Sequence, residues 1–406
     1  MRFSSFKIVM LAILLITAVF IPGFITSAQT STDVSSNPAL TASIPFDLSM
    51  NLVFIQVWIN EKGPFEFILD SGFEGSAINK STLQANGWPM GESHKESAPG
   101  GEIELSQSDS LHVSLSSLDL GEMKLMVIPL DELEPIVGRK IDGILGYDFF
   151  DCYTLEIDYQ SQVLSIYDPS RYRFSGNGQM IPITLENNEA FIFAVLESGD
   201  RSPVRAKLKL DTGSADFLGL NGSFLNNESL FEPTHKKIPA QGAAVGGATE
   251  NYITRLANFK LGDIQINEPL VGYSVDTLRD GDAGTIGGEF FSRFTVTFDY
   301  TRHRLILKKN EHFDSSYNYD MSGIFPIAKA PDFKEIEIAS VALKSPGSEA
   351  GLQAGDIILS IDGKLAGDFE ISEIRQLFTI DGNRVNLEIE RGGKKQVINL
   401  VLRKLI

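Results

Sequence analysis

Short runs of alternating apolar and polar residues, separated by Gly, Asn, Asp and Ser, dominate the chain. Clear examples are Leu52 to Ile59, Phe65 to Leu69 and Tyr153 to Tyr159. Alternation with a period of two is typical of a strand with one buried face, and the polar breaks are typical of turns. Patterns with helical spacing are few and short. The sequence therefore predicts a mainly β architecture.

The first segment follows a different pattern. Two basic residues precede an apolar run from Ile8 to Phe20, and Thr26-Ser27-Ala28 offers small residues for a signal peptidase. This order is typical of a secretory signal peptide, which we place at residues 1–28. The alternative is an uncleaved anchor, because Ile8 to Ile25 is just long enough to span a bilayer. We expect an exported protein, periplasmic or extracellular, with no membrane span in the mature chain.

Two weakly patterned segments divide the rest of the chain. Residues 29–43 are rich in Ser, Thr and Asn, which suits a flexible linker, so we expect folding to start near Ile44. Residues 310–322 are polar again and predict a second linker. A separate C-terminal unit is then expected at residues 323–406.

Sliding the chain against itself reveals two copies of one unit. Asp70-Ser71-Gly72 falls on Asp211-Thr212-Gly213, 141 residues later. Four further segments match at the same offset: Leu120-Gly121 on Leu261-Gly262, Gly143 to Gly146 on Gly284 to Gly287, Phe149-Phe150 on Phe290-Phe291, and Asp158-Tyr159 on Asp299-Tyr300. Separate matches at one offset indicate a duplicated fold. We place the copies at residues 44–168 and 176–309.

Composition narrows the classes of function. The chain has 35 Lys and Arg against 53 Asp and Glu, a net charge of −18, without a basic cluster long enough to follow a phosphate backbone. Nucleic acid is therefore not an expected partner. Cys152 is the only cysteine, so no intramolecular disulfide forms, and we expect a buried, inert thiol. The five histidines lie far apart, so no metal site is predicted.

Each copy places an aspartate directly after an apolar strand. Phe67-Ile68-Leu69 precedes Asp70, Leu208 to Leu210 precedes Asp211, and a hydroxyl residue and a glycine follow both. The strand end presents the carboxylate, and the glycine permits a tight turn. If the copies pack about a two-fold axis through these turns, the carboxyl groups meet and share one proton. One then acts as general base on a water and the other as general acid toward a substrate carbonyl.

The two turns resemble the signature of the pepsin-like and retroviral-type aspartic peptidases. That signature is an apolar run, Asp-Thr/Ser-Gly and a later apolar-apolar-Gly, and Ile144-Leu145-Gly146 and Thr285-Ile286-Gly287 supply its second part. The resemblance spans roughly residues 44 to 309. It implies two pepsin-like or retropepsin-like β-barrel lobes that each supply one catalytic aspartate, Asp70 and Asp211, without a metal or cofactor.

The resemblance also implies residues that support the dyad. In that family the two turns bond to each other through their hydroxyls, which implies that Ser71 and Thr212 hold the dyad together. The glycines that follow them, Gly72 and Gly213, are expected to support the dyad as parts of the same turns. Hairpin flaps close over the cleft in the family, which places flap tips at Gly100, Gly101, Gly246 and Gly247.

The first copy departs from the family pattern after its glycine. Family members usually have Ala, Ser or Thr there, as at Ser214, but the first copy has Phe73 followed by Glu74. Glu74 and Asp216 would raise the pKa values of the dyad if they lay near it.

The C-terminal segment resembles a PDZ domain of the type appended to secreted bacterial proteases, and Ser345 to Leu359 carries the resemblance. A PDZ domain binds an extended peptide as an added strand between a sheet edge and a helix. The strand would be Ile336 to Val341 and the helix Ser372 to Phe378, with a groove lined by Lys334, Ile336, Ile338, Ile374 and Phe378. The usual loop for a terminal carboxylate is absent at Lys334 to Ile336. The alternative to peptide capture is therefore an internal module that docks on the protease lobes.

The whole pattern predicts an aspartic endopeptidase that acts on polypeptides, with the complete site in one chain. The alternative is a catalytically inactive peptide-binding or scaffold protein that uses the same cleft and the PDZ groove. Phe73 favours that alternative, and the paired Asp turns favour the enzyme. Because both aspartates lie outside residues 323–406, we expect removal of that segment to leave cleavage of short peptides largely intact.

Overall fold

The computed structural model describes residues 39–98, 100–199, 201–232, 234–274 and 281–406. The predicted signal peptide and most of the linker at 29–43 lie outside these residues. The end of that linker is a strand, which corrects the predicted start of folding. Leu40–Pro45 pairs with Val163–Tyr167, and Ala42 and Ile44 are buried, because alternate residues of this strand face the core. Among the described residues, every helix is too short or too polar to cross a lipid bilayer.

The first copy of the repeat folds into a lobe built on one large sheet. Its elements are β1 (Leu40–Pro45), β2 (Asp47–Ser49), β3 (Leu52–Ile59), β4 (Lys62–Leu69), β5 (Ser76–Asn79), α1 (Lys80–Ala85), β6 (His94–Ala98), β7 (Gly101–Gln107), β8 (Leu111–Leu115), β9 (Leu118–Met123), β10 (Met126–Ile128), α2 (Glu134–Val137), β11 (Gly143–Leu145), α3 (Tyr147–Cys152), β12 (Thr154–Asp158) and β13 (Val163–Tyr167). The sheet order is β6-β7-β10-β5-β11-β4-β3-β8-β9, with β2 beside β3.

The second copy repeats this arrangement. Its elements are β14 (Gln179–Pro182), β15 (Thr184–Glu186), β16 (Glu189–Glu197), β17 (Val204–Leu210), β18 (Leu218–Leu220), α4 (Gly222–Glu228), β19 (Ile238–Ala244), β20 (Gly247–Arg255), β21 (Asn258–Leu261), β22 (Ile264–Asn267), β23 (Leu270–Ser274), β24 (Gly284–Ile286), α5 (Gly288–Phe291), β25 (Phe294–Asp299), a 3-10 turn (Tyr300–Arg302) and β26 (Arg304–Lys309). The order β19-β20-β23-β18-β24-β17-β16-β21-β22, with β15 beside β16, matches the first lobe strand for strand. The predicted duplication of a mainly β fold is confirmed.

A six-stranded sheet of order β1-β13-β12-β25-β26-β14 joins the two lobes. At its centre β12 pairs antiparallel with β25, and Glu156 lies opposite Thr297. These two residues are equivalent positions of the repeat, because they are 141 residues apart. The pseudo-two-fold axis between the lobes therefore passes through this pair.

The C-terminal unit has a separate core and a mostly antiparallel sheet, as expected for a PDZ domain. Its elements are β27 (Ile324–Lys329), β28 (Glu335–Val341), α6 (Pro346–Glu349), β29 (Ile357–Ile361), β30 (Lys364–Leu365), a 3-10 turn (Ala366–Asp368), α7 (Ile371–Leu377), β31 (Arg384–Arg391) and β32 (Lys394–Val401). The sheet order is β27-β28-β29-β31-β32. The prediction that Ile336 to Val341 forms the peptide-binding edge is wrong, because this segment belongs to β28, which pairs with β27 along its length and with β29 at Ile336 and Glu337. One edge of the sheet is β32, and the edge strand beside β28 is β27.

The PDZ unit packs against the first lobe at this edge. Helix α2 lies against β27 and α7. From the turn between β2 and β3, the Met50 sulfur accepts a hydrogen bond from Arg375 of α7 at 2.8 Å. The neighbouring Asn51 donates its side-chain amide to the carbonyl of Ala215 at 3.1 Å. One turn of the first lobe thus contacts both the PDZ unit and the second lobe.

The segment predicted as a linker at 310–322 has no regular secondary structure but packs on the second lobe. Tyr317 is buried, and the guanidinium carbon of Arg293 lies 3.6 Å from the centre of its ring. The same guanidinium donates hydrogen bonds to the carbonyls of His312, Phe313 and Ser315. The connection to the PDZ unit is therefore held in place along its length.

Cys152 corrects a further prediction, because its side chain is exposed. It ends α3, in which Phe149 and Phe150 take the buried positions. An apolar neighbourhood in the sequence does not fix which side of a short helix faces the core.

Candidate active site

Two buried strands carry the aspartates to the centre of the molecule. β4 ends at Leu69 and β17 at Leu210, and both leucines have no exposed surface. Each strand lies parallel to a short central strand of its own lobe, β11 or β24. The N–H of Asp70 donates to the carbonyl of Leu145 at 3.0 Å, and the N–H of Asp211 donates to that of Ile286 at 3.0 Å. The apolar runs and the later apolar-apolar-Gly segments thus fix the two turns in equivalent ways.

The hydroxyl residues of the two turns bond reciprocally across the lobes. The N–H of Ser71 donates to Oγ1 of Thr212 at 2.9 Å, and this hydroxyl donates to the carbonyl of Leu69 at 2.7 Å. In the opposite direction, the N–H of Thr212 donates to Oγ of Ser71 at 3.1 Å, and that hydroxyl donates to the carbonyl of Leu210 at 3.0 Å. Both side chains are buried, so these bonds do not compete with water.

The glycines of the turns let the carboxyl groups meet. A Cβ on Gly72 would lie 2.6 Å from Cγ of Asp211, and a Cβ on Gly213 would lie closer still to the carboxyl group of Asp70. Any larger residue would therefore displace the aspartate of the opposite lobe. The carboxyl groups of Asp70 and Asp211 are in hydrogen-bonding contact within a single chain.

Burial raises the pKa of Asp70 to about 7, although part of the side chain still reaches solvent, and the negative charge of Asp211 acts in the same direction. The positive charge of Lys209 lowers this pKa, as does the hydrogen bond from the N–H of Gly72 at 2.7 Å. Two carboxyl groups in contact cannot both ionise easily, so the pair retains one proton toward neutral pH. The charges that dominate at Asp70 belong to Asp211 and Lys209, not to Glu74 or Asp216.

Phe73 does not distort the backbone of the first turn. Its N–H donates to the carbonyl of Asp70 at 3.4 Å, as the N–H of Ser214 does to that of Asp211 at 3.2 Å. The Phe73 side chain packs at the margin of an apolar cluster in the first lobe. The departure from the family pattern therefore changes the surface beside the dyad and leaves the turn itself intact.

The predicted flap glycines lie at the tips of two hairpins that touch each other. Gly100 and Gly101 lie at the tip of the β6–β7 hairpin, and Gly246 and Gly247 lie at the tip of the β19–β20 hairpin. The N–H of Gly100 donates to the carbonyl of Val245 at 2.9 Å. A Cβ on Gly100 would lie 2.6 Å from the carbonyl oxygen of Gly247, so this contact requires glycine.

Two charged residues that the sequence pattern did not single out lie beside the dyad. Nζ of Lys209 is 3.1 Å from Oε1 of Glu189 and 3.8 Å from Oδ2 of Asp211. It also donates to the carbonyl of Gly72 at 3.0 Å. The sequence feature that could have identified Lys209 is its position inside the apolar run before Asp211, where the first copy has Ile68.

The predicted PDZ groove is not assembled as expected. Ile336, Ile338, Ile374 and Phe378 are buried in the PDZ core, because β28 is an interior strand, and they line no open groove. Lys334 is exposed in the turn directly before β28 and donates to the carbonyl of Gly367 at 3.3 Å.

The actual edge strand, β27, offers few groups to an added strand. Pro326 has no N–H, and its carbonyl accepts a hydrogen bond from Arg375 at 2.9 Å. In the loop before β27, the carboxylate of Asp320 accepts the N–H groups of Ser322 and Gly323 at 3.1 and 2.6 Å. The N–H groups of Ser322 and Gly323 are therefore already bonded within the chain and are not open to a peptide ligand.

Two family models match the chain. Residues 55–149 match a model described as aspartyl protease, and residues 337–391 match a model described as PDZ domain. The first match contains the Asp70 turn and the Gly146 segment, and the second runs from β28 to the end of β31. No curated protein matches the chain. The matches agree with the two resemblances that the sequence motifs indicated.

Proposed function

We propose that this chain, an aspartyl protease unit followed by a PDZ domain, is an endopeptidase that cleaves polypeptides with the dyad Asp70 and Asp211. The observation that supports this most is the contact between the two carboxyl groups, held by reciprocal bonds between Ser71 and Thr212. A carboxyl pair that shares one proton supplies a general base and a general acid at the same place.

The reaction needs only the dyad and a water. The ionised carboxylate takes a proton from the water, and at the same time the water oxygen bonds to the carbonyl carbon of the scissile peptide. The protonated carboxyl group gives its proton to the carbonyl oxygen, which forms a tetrahedral diol. When the C–N bond breaks, the leaving nitrogen takes the proton that the dyad holds, a hydroxyl proton of the diol returns to the dyad, and the new carboxyl group forms. The dyad then holds one proton again.

The hairpin tips favour an extended substrate in this proposal. Gly100 and Gly247 are in backbone contact, so a polypeptide that passes beneath the tips must part them. An extended chain is the narrowest form of a polypeptide, and strand-like backbone groups can pair with hairpin edges.

For the PDZ unit, internal docking is favoured over strand addition. Pro326 and Arg375 remove a donor and an acceptor from the β27 edge, and α2 lies against it. Through Met50 and Asn51, the unit is connected to Ala215, which follows the second Asp turn. These contacts change the expectation for removal of the segment: cleavage of short peptides should fall as well, because the PDZ unit supports the turn beside the dyad.

Cleavage of a diverse peptide library from acidic to neutral pH tests the proposal. Wild-type protein should cleave, and Asp70→Asn and Asp211→Asn should each abolish cleavage while the protein stays folded. Asp109→Asn, an exposed aspartate of the first lobe, is the matched control and should leave activity unchanged. Wild-type protein that cleaves no peptide but binds a statine-type transition-state mimic would be a peptide-binding scaffold instead.

A further inference from the structure

A charged pair lies in the interior of the second lobe beside the dyad. Lys209 is only 5% exposed, and the side chain of Glu189 is 13% exposed. Removing two charges from water is costly, so a buried pair is weak support for stability. At the equivalent positions the first lobe has apolar residues, Ile68 and Leu48. The same fold therefore forms without this pair, and its presence near the dyad calls for a role other than packing.

The position of the ammonium group indicates that role. Nζ of Lys209 crosses from the second lobe to the first, where it donates to the carbonyl of Gly72 at 3.0 Å. It also lies 3.8 Å from Oδ2 of Asp211. The lysine therefore holds the turn of one aspartate and places a positive charge beside the other.

We propose that Lys209, held by Glu189, is a positioning residue of the dyad that sets the pH range in which the carboxyl pair holds one proton. This inference rests on the proposed peptidase function. Because the ammonium group lies 3.8 Å from Oδ2 of Asp211 and donates to the carbonyl of Gly72 in the other Asp turn, it favours negative charge on the carboxyl pair as a whole.

Among the described residues, Tyr300 of the 3-10 turn is a further titratable group buried near both carboxyl groups, and the ring of Tyr147 from α3 lies 6.0 Å from the Tyr300 ring. Burial raises the pKa of both hydroxyls, so both stay neutral through the acidic and neutral range. The Lys209–Glu189 pair is therefore the source of charge that tunes the dyad in that range.

Two single substitutions should move the pH–activity profile in opposite directions. Lys209→Met removes the positive charge, which favours the protonated dyad, so both limits of the profile should move to higher pH. Glu189→Gln leaves the ammonium group uncompensated, which favours ionisation, so both limits should move to lower pH. A charge within about 4 Å shifts a pKa by about one unit or more. We therefore expect the kcat/KM profile of Lys209→Met to shift by about one pH unit and that of Glu189→Gln to shift by less, because the glutamate reaches the dyad only through the lysine.

Lys207→Met is the matched control. Lys207 lies on the same strand and pairs with Glu186 at 2.6 Å, but no contact joins it to the dyad. Its removal should leave the profile in place. The double variant Lys209→Ile/Glu189→Leu restores the apolar pattern of the first lobe. It should fold and retain an upward shift that is smaller than that of Lys209→Met, because the lysine lies nearer to the dyad than the glutamate.

Carbon-13 NMR titration of aspartate carboxyl groups gives a second readout that does not depend on cleavage. Opposite shifts in the dyad titration would support the proposal even for protein without activity. Unchanged titration, or shifts of both variants in the same direction, would overturn the proposed role of Lys209. If the wild-type protein still cleaved peptides, the proposed peptidase function would be unaffected. If the wild-type protein cleaved no peptide, the proposed peptidase function would be refuted. The titration would still show whether Lys209 and Glu189 shift the pKa values of the carboxyl pair.

Discussion

Replacing Thr212 with valine tests whether the cross-lobe bonds hold the dyad together. Valine keeps the shape of threonine, so packing around this fully buried side chain changes little. The substitution removes the acceptor of the Ser71 N–H and the donor to the Leu69 carbonyl, bonds of 2.9 and 2.7 Å. Each buried group left without a partner costs about 1–3 kcal/mol. The free energy of unfolding should therefore fall by about 2–6 kcal/mol.

The assay combines denaturant unfolding with peptide cleavage under conditions where the variant is folded. A turn displaced by about 1 Å can lower activity about 100-fold, so kcat/KM should fall to that extent. Thr82→Val is the control, because this buried threonine of α1 also loses one hydroxyl bond, to Asp142 at 2.6 Å. It should lose stability but keep kcat/KM. Equal kcat/KM for wild type and Thr212→Val would refute the idea that these bonds position the aspartates.

Three further outcomes are expected. The pKa of Asp70 rises from 3.8 in the unfolded state to about 7 in the folded state, so the folded state binds the proton more tightly. The stability that this group contributes is therefore complete below pH 3.8 and is lost as the pH rises toward 7. The free energy of unfolding of Asp70→Asn, measured against pH, should lack this decline. Gly100→Ala should speed binding of a statine-type mimic, because the clash with Gly247 loosens the tip contact that a ligand must part, whereas Gly91→Ala, which has room for a Cβ, should not. Arg375→Met leaves the Pro326 carbonyl without its partner, so the free energy of unfolding should fall by about 2 kcal/mol. Cleavage of short peptides should also fall, and unchanged cleavage would refute the support role of the PDZ unit.

Some features were determined by the sequence alone. The repeat at 141 residues required two copies of one fold, and alternation with Gly and Asp breaks required that fold to be mainly β. The Asp-hydroxyl-Gly turns after apolar strands were visible because a turn is a local structure, specified by neighbouring residues. If two such copies pack about a two-fold axis, Asp70 and Asp211 must come together.

Other features were decided only by the tertiary structure. Glu189 and Lys209 lie on adjacent strands, β16 and β17, whose register lets the two side chains pair, and Lys209 also reaches Gly72 of the other lobe. In the PDZ unit, β27 rather than β28 became the edge, because strand order follows from pairing between distant segments. Alternation shows which face of a strand is buried but not which strands lie beside it. Contacts between segments far apart in the chain therefore determined the charge beside the dyad and the closed edge of the PDZ unit.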